Sequence, residues 1–185
     1  NVTISSLNNG VASPLYSNTS SIKVYTDFTS LPATPLSIGV PEPITVTQIT
    51  TSTTFATSYV MAFVDWNQDA IFALNETYYI GSTAGPTNSV SGTITIPNGA
   101  TPGNTRMRIV LVQGGNSGQS ACGTYTYGET EDYTVNIVQL SPCTVPPVAG
   151  FATASVSSIC AATAFNLNLS GNSTGSGQTY YWQYS

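Results

Sequence analysis

The chain has 185 residues, 41% of them apolar, which is enough for one domain of about 150 residues with a hydrophobic core and part of another. Only 6% of the residues are charged and the net charge is −5, which excludes the basic surface that nucleic-acid binding needs. No apolar run approaches the roughly 18 residues of a membrane span.

Alternating strands dominate the first 138 residues, and helical periodicity is absent. The first residues, "NVTISSL", already read as a strand, so we expect any secretion signal to have been removed or to lie upstream. The segment "YVMAFV" is apolar on both faces, as expected of a central strand. Alternation follows in "VSGTITIP", "TRMRIVLV" and "DYTVNIV", separated by turns such as "PNGATPGN". The pattern predicts an all-β fold, an antiparallel β-sandwich over residues 1–140.

A proline-rich linker is predicted at 141–149, followed by a second domain from residue 150 to 185. The strand "AFNLNLS" is predicted to turn Phe165, Leu167 and Leu169 inward, and "TYYWQYS" places Trp182 on a later strand. An alternating strand followed by a strand with a core Trp is typical of an immunoglobulin-like domain, which needs about 100 residues. We therefore expect this domain to be completed by a longer chain or by another subunit.

Residues 65–76, "DWNQDAIFALNE", predict a calcium site. Asp65, Asn67, Asp69 and Glu76 occupy positions 1, 3, 5 and 12 of a loop of the EF-hand type, and Ile71 would supply a backbone carbonyl from position 7. Position 6, normally Gly, is Ala70, so either the turn differs or the affinity for Ca²⁺ is lowered. The alternative is an Asp/Asn-rich turn without metal.

The second acidic cluster, "GETED", allows two interpretations. On a strand, Glu129 and Glu131 share a face with Tyr133, and Asp132 points to the other face. These carboxylates could pair with Arg106 and Arg108 on a neighbouring strand. Alternatively, they could complete the calcium site or build a second one.

Catalysis is not expected. The chain has no His, so Ser-His-Asp and Cys-His arrangements are excluded within it, and the carboxylates that a glycosidase would need lie in the two clusters above. There are three cysteines; Cys143 and Cys160 could form a disulfide in an oxidising compartment. Aromatic residues near the acidic clusters could stack on sugars if exposed: Trp66, Tyr78, Tyr79, Tyr125 and Tyr127.

The segments "YTDFT", "FVDWNQDAIF", "TIPNGATPGNTRMRI" and "CGTYTYGETEDYTVNI" together resemble the GEVED domain, named for a Gly-Glu-x-Glu-Asp-Tyr signature that here spans 128–133. Residues 144–185 resemble immunoglobulin-like repeats with a "YxWQ"-type strand. The resemblance implies a non-catalytic, extracellular accessory module of large surface proteins of Bacteroidota, often exported by the type IX secretion system. It also implies a Gly where Ala70 stands, and a cysteine upstream of residue 1 as the partner of Cys122.

The function predicted from the sequence is therefore a calcium-stabilised structural or adhesive module of a surface adhesin or extracellular fibre. Its expected partners are copies of itself or neighbouring domains, and surface glycans are a further possibility. The alternative is a carbohydrate-binding module that accompanies a secreted hydrolase.

Overall fold

The computed structural model describes residues 1–10, 24–48, 56–84, 88–142 and 148–173, together with Gly175, Thr179 and Tyr181. The chain divides into two compact units, Asn1–Gln139 and Leu140–Ser185. Each unit is described by itself below.

Within the described residues, the first unit contains ten strands and one short 3-10 turn. The strands are β1 (Val2–Ile4), β2 (Leu7–Asn8), β3 (Val24–Asp27), β4 (Thr34–Ser37), β5 (Pro41–Thr47), β6 (Ser58–Val64), β7 (Thr77–Thr83), β8 (Ser89–Thr95), β9 (Gly103–Gln113) and β10 (Gly128–Val138). The 3-10 turn is Leu74–Glu76, directly before β7.

The smaller sheet has the strand order β2-β1-β5-β8, and all of its pairings are antiparallel. Its strands alternate as the sequence predicts: Val90, Ile94 and Ile96 are buried, while Ser91 and Thr93 on β8 are exposed. One face of this sheet therefore supplies core residues, and the other is a Ser/Thr surface.

The larger sheet has the order β3-β10-β9-β6-β7, with β4 also paired to β10. Strand β6 lies between β9 and β7 and is buried on both faces, which confirms the prediction of a central strand. The inner face of this sheet carries Val60, Met107, Ile109, Tyr133 and Val135, which pack with the apolar residues of the smaller sheet in one core. The predicted all-β sandwich is confirmed.

The larger sheet is mixed rather than purely antiparallel. Both β3 and β4 run parallel to β10, with β3 beside its first half and β4 beside its second half. The chain follows the edge of β10 in one direction, and a turn separates the two strands, in which the N–H of Leu31 donates to the carbonyl of Phe28 at 3.0 Å. The edge position tolerates Pro35, which has no N–H for a ladder hydrogen bond. Alternation of side chains reports the buried face but not the direction of the neighbouring strand, so the sequence did not reveal this pairing.

The described part of the second unit contains β11 (Phe151–Ala154) and β12 (Leu167–Ser170), paired antiparallel. The predicted inward orientation of Phe165, Leu167 and Leu169 is wrong here: Phe165 and Leu167 are exposed and Leu169 is half-buried. Among the described residues no second sheet covers these strands, so alternation alone does not create a buried face. Trp182 and most of the predicted linker lie outside the described residues, and the immunoglobulin-like domain stays a prediction.

No helix in the described segments of the chain is long and apolar enough to cross a membrane.

Candidate functional site: an acidic loop and an acidic strand

The loop between β6 and β7 contains the residues predicted to bind calcium. It starts at Asp65, directly after β6, and ends in the 3-10 turn that carries Glu76. Two of its residues have a left-handed backbone, Gln68 with φ of 61° and Ala70 with φ of 67°. Ala70 therefore keeps the conformation that normally requires Gly, at a cost of about 1 kcal/mol or more.

Asp65 and Glu76 fold this loop onto itself through backbone hydrogen bonds. The Asp65 carboxylate, 6% exposed, accepts the N–H groups of Asp69 at 3.1 Å and Ala70 at 3.0 Å. The Glu76 carboxylate is 1% exposed; its Oε1 accepts the N–H groups of Trp66 at 2.8 Å and Asn67 at 3.3 Å. Its Oε2 accepts the Ala73 N–H at 2.9 Å. These bonds to charged acceptors hold the loop in a single shape.

The remaining predicted ligands lie on the exposed side of the loop. Asn67 donates through Nδ2 to Asp69 Oδ2 at 2.8 Å, and its Oδ1 accepts the Asp69 N–H at 3.1 Å. Asp69 Oδ1 accepts the N–H of Ile71 at 2.8 Å. The side chain of Ile71 is exposed.

The donor set fits calcium in kind, because Asp65, Asn67, Asp69, the Ile71 carbonyl and Glu76 all offer hard oxygen atoms. Among the described residues, no three Asp, Glu or Cys side chains converge closely enough to hold a metal ion as they stand. The carboxylates are directed toward backbone N–H groups, but a carboxylate oxygen has more than one lone pair and can accept a hydrogen bond and bind a cation together. Neither Asp65 nor Glu76 forms a salt bridge with another described residue.

On strand β10, Asp132 points to the outer face and joins both arginines of β9. Its Oδ1 accepts Arg108 Nε at 2.6 Å, and its Oδ2 accepts Arg108 Nη2 and Arg106 Nη1, both at 2.8 Å. The hydroxyl of Tyr25 on β3 donates to the same Oδ2 at 3.0 Å. Three strands are therefore tied together through one carboxylate.

These contacts shift the ionisation of both partners. Burial alone would raise the pKa of Asp132, but the hydrogen bonds and charge of Arg108, with help from Arg106 and Tyr25, outweigh it and lower the pKa below its ordinary value. The hydrogen bond from Arg108 to Asp132 correspondingly raises the pKa of the arginine.

Arg108 also connects the sheet to the surrounding loops. Its Nη1 donates to the Ala121 carbonyl at 3.0 Å, and its guanidinium carbon lies 5.6 Å from the ring centre of Phe72 and 6.0 Å from that of Tyr25. Every nitrogen of this guanidinium is thus engaged. Because β9 lies between β6 and β10, the two arginines stand between the two acidic clusters.

The inner face of β10 carries Glu131 and Tyr133, both buried. The Tyr133 hydroxyl donates to Glu131 Oε2 at 2.6 Å and accepts Asn9 Nδ2 at 2.8 Å. Burial, and then the charge of Glu131, raise the pKa of Tyr133. On the same face, Glu129 accepts the hydroxyl of Thr26 at 3.2 Å. The acids of "GETED" thus bind β9 and β3 to β10, and Glu131 holds the Tyr133 hydroxyl that contacts Asn9.

Residues 59–136 match the family model of the GEVED domain. The matched segment begins in β6, contains the acidic loop and β9, and ends within β10. The GEVED domain is a small accessory domain rather than a catalytic family. The GEVED match therefore agrees with the observation that the acidic side chains connect loops and strands.

Solved structures add little to the GEVED match. One similar structure, described as a family 123 glycoside hydrolase from Clostridium perfringens that hydrolyses glycolipid glycans, is 15% identical with a TM-score of 0.28. The alignment covers 62% of this chain and 25% of that chain, so this chain spans a quarter of its length. No curated protein sequence matches this one.

The aromatic residues near the two acidic clusters divide into buried and exposed groups. Trp66 is buried and donates to the Tyr78 hydroxyl at 3.1 Å, and Tyr125 is half-buried with its hydroxyl 2.6 Å from that of Thr130. Tyr79 and Tyr127 are exposed. Of the five aromatic residues singled out in the sequence, only these two have a solvent-exposed side chain.

The predicted disulfide cannot be placed, because Cys143 lies outside the described residues. Cys160 and Cys122 are both exposed. The sequence also did not assign roles to Tyr25 and Asn9. Tyr25 lies in the recognisable "YTDFT" segment, whereas nothing around Asn9 signals its contact with Tyr133, 124 residues away.

Proposed function

We propose that this chain is a non-catalytic structural and adhesive module of an extracellular assembly, a large surface adhesin or a fibre, and that calcium stabilises it. The observation that carries this proposal is the use of the clustered carboxylates. Asp65 and Glu76 close a loop, Asp132 joins three strands, and Glu131 holds the hydroxyl of Tyr133, which contacts Asn9. Groups committed to such bonds stabilise the fold and are not arranged as an acid and base around a substrate.

The extracellular location is supported by composition. With 6% charged residues, the exterior relies on Ser, Thr and Asn, as the outward positions of β8 illustrate. Adhesion to copies of the same chain or to neighbouring domains needs surfaces of this kind, with few charges to desolvate. Sedimentation of the purified chain across a hundredfold concentration range measures self-association directly; a strictly monomeric chain that also fails to bind its neighbouring domains would contradict the adhesive role.

Calcium would be held by Asp65, Asn67, Asp69, the Ile71 carbonyl and Glu76, where it would neutralise two buried carboxylates that lack a salt bridge among the described residues. Extracellular calcium modules bind at about 10⁻⁴–10⁻³ M. At tenfold excess over such a Kd, the ion adds about 1.4 kcal/mol to the free energy of unfolding. For a unit of this size that is a rise in Tm of about 4 °C.

The test compares Tm in Ca²⁺, in Mg²⁺ and in chelator, for the wild type and Asp69→Asn. Asp69 is exposed, and Asn can still accept the Ile71 N–H, so the variant removes a charge and keeps that bond. The Asn67 amide loses its acceptor on residue 69, but it is exposed and can donate to water instead. We expect it to lose most of the calcium-dependent rise in Tm while its Tm in chelator stays close to that of the wild type. Terbium luminescence excited through Trp66, at position 2 of the loop, reports binding independently of stability. A wild-type Tm that ignores Ca²⁺, with no terbium signal, excludes calcium from the proposal.

Carbohydrate binding is the second candidate, and it depends on the exposed rings of Tyr79 and Tyr127. Tyr79 packs at a tilt against Tyr59 on the outer face of the large sheet, with ring centres 6.5 Å apart. Pull-down on insoluble polysaccharides tests this candidate. Binding that disappears in Tyr79→Ala would favour it over the adhesive role, and failure on every polymer would remove it.

A further inference from the structure

An open cleft of about 840 Å³ lies on the outer face of the large sheet, between the 65–76 loop and residues 117–122. This volume is within the range of small-ligand sites, about 300–1,000 Å³. Its floor is formed by Met61 and Phe63 of β6, and Phe72 forms part of its wall. Leu74, 91% exposed, stands on the rim. The cleft is therefore mainly apolar.

Arg106 supplies the accessible charge of this cleft. Its side chain is 45% exposed, and in the described part of the chain it makes one hydrogen bond, from Nη1 to Asp132. Arg108 also lines the cleft, but all of its nitrogens are engaged. Asp65 also lines the cleft, and each oxygen of its carboxylate accepts a backbone N–H that offsets part of its negative charge. An anion that enters the cleft thus meets Arg106, one of three Lys and Arg residues in the chain.

The accessible apolar surface of the cleft comes from the loop: Ile71 is 64% and Leu74 91% exposed, and Phe72 is half-buried. The Arg106 side chain is bonded to Asp132 on β10, on the other side of β9 from β6. Because Arg106 and these loop residues line the same cleft, a ligand that carries an anionic group and an apolar group can contact both.

We propose that the cleft binds the carboxyl-terminal residue of a peptide. The α-carboxylate pairs with Arg106, and an apolar last side chain packs on Ile71, Phe72 and Leu74. Guanidinium groups bind carboxylates through directed hydrogen bonds, and capture of a terminal carboxylate is a recurring mode of peptide recognition. This inference goes beyond the proposed structural role and depends neither on calcium nor on self-association.

Acidic polysaccharides share the carboxylate but fit the cleft less well. Phe63 is 2% exposed, and its ring is tilted by 52° from that of Phe72, so the two do not form a flat platform for a sugar. The exposed rings of Tyr25, Tyr79 and Tyr127 do not line the cleft. The exposed side chains of Ile71 and Leu74 suit a flexible apolar side chain.

The test uses the full chain and fluorescein-labelled hexapeptides of alternating Gly and Ser that end in Leu. One peptide carries a free carboxylate and its partner an amide, and fluorescence anisotropy measures both affinities at fixed calcium. We expect the free acid to bind at least about tenfold more tightly than the amide, the usual effect of one hydrogen bond to a charged group. Replacing the last Leu with Ser should weaken binding several-fold.

Arg106→Gln should reduce affinity for the acid to that of the amide, whereas Arg106→Lys should keep part of the preference. Asp132 retains Arg108 and Tyr25 in both variants, so their Tm values should stay near that of the wild type. Tyr79→Ser, outside the cleft, is the control and should bind normally. Equal affinity for acid and amide in the wild type, no binding of the acid at millimolar concentration, or binding of uronic-acid oligosaccharides instead of the peptide would each overturn the proposal. The acid and amide comparison decides it even if Arg106→Gln does not fold.

Discussion

Replacing Asp132 with Asn should destabilise the first unit more than any comparable change at an exposed acid. In the wild type, Asp132 is fully buried and accepts four hydrogen bonds, three of them from guanidinium nitrogens. Asn has the same shape as Asp but carries no charge. Its amide nitrogen is itself a donor, so on that side it cannot accept the hydrogen bonds that Asp132 accepts in the wild type. Arg108, with 20% of its side chain exposed, then loses its counterion inside the sheet.

The magnitude follows from the burial of the pair. Breaking a buried ion pair by removing one partner costs about 3–5 kcal/mol. Water can reach part of Arg108, so we expect the lower end, about 3 kcal/mol, which is a fall in Tm of about 10 °C for this unit. Asp27→Asn is the matched control, because Asp27 is exposed and its carboxylate accepts a backbone N–H from Thr29 that Asn can also accept. That variant should lose less than about 1 kcal/mol.

Urea denaturation followed by circular dichroism measures these differences, and the pH dependence identifies their origin. The pKa of Asp132 is lowered in the folded state relative to its ordinary value of 3.8. Below that value the unfolded chain binds a proton that the folded chain does not, so the stabilisation is complete above about pH 5 and declines as the pH falls below about 4. The difference between the wild type and Asp132→Asn should shrink over the same range. A loss no larger than that of Asp27→Asn, or a difference that does not change down to pH 3, would refute the argument.

Two further predictions concern backbone conformation. Ala70→Gly should raise the free energy of unfolding by about 0.5–1 kcal/mol, because Gly adopts the left-handed backbone at 70 without the steric cost of Cβ; thermal melts measure it, and an unchanged or lower Tm would show that the loop does not hold this conformation. Gly128→Ala should cost more than about 3 kcal/mol, because its Cβ would collide with the Leu111 carbonyl oxygen across the strand pair. Gly99→Ala is its control, since a Cβ there meets no atom within 4 Å, and equal Tm values for the two variants would contradict the predicted collision.

The strands were predictable because burial imposes a period of two on the sequence. Ile94 and Ile96 on β8, and Val135 and Ile137 on β10, are buried as their spacing predicts. The same reasoning failed for Phe165 and Leu167, which alternate correctly but have no covering sheet in the described structure. Periodicity identifies which residues share a face, and a face becomes buried only when another layer packs on it.

The candidate site was predictable in its residue types and only partly in its contacts. Spacing within one short segment singled out Asp65, Asn67, Asp69 and Glu76. The same spacing identified residue 70 as the position where the turn normally needs Gly. The partners of Asp132 were left open, because a strand pattern gives the face of a side chain and not the register of the neighbouring strand. The register of β9 with β10 places Asp132 directly opposite Arg108, and the parallel position of β3 adds Tyr25.

The "GETED" segment makes contacts on both faces of the large sheet, because successive residues of a strand face opposite sides. Outward, Asp132 pairs with two arginines of β9 and accepts a hydrogen bond from Tyr25 of β3. Inward, Glu131 accepts the hydroxyl of Tyr133, which in turn accepts a hydrogen bond from Asn9. Gly128 lets β10 approach β9 where a side chain would collide. A catalytic carboxylate must change its partners during a reaction, whereas each of these acids stabilises the fold by keeping its partners. The acids of β10 therefore stabilise the fold, and the accessible Arg106, beside an apolar cleft, is the group through which the proposed ligand would bind.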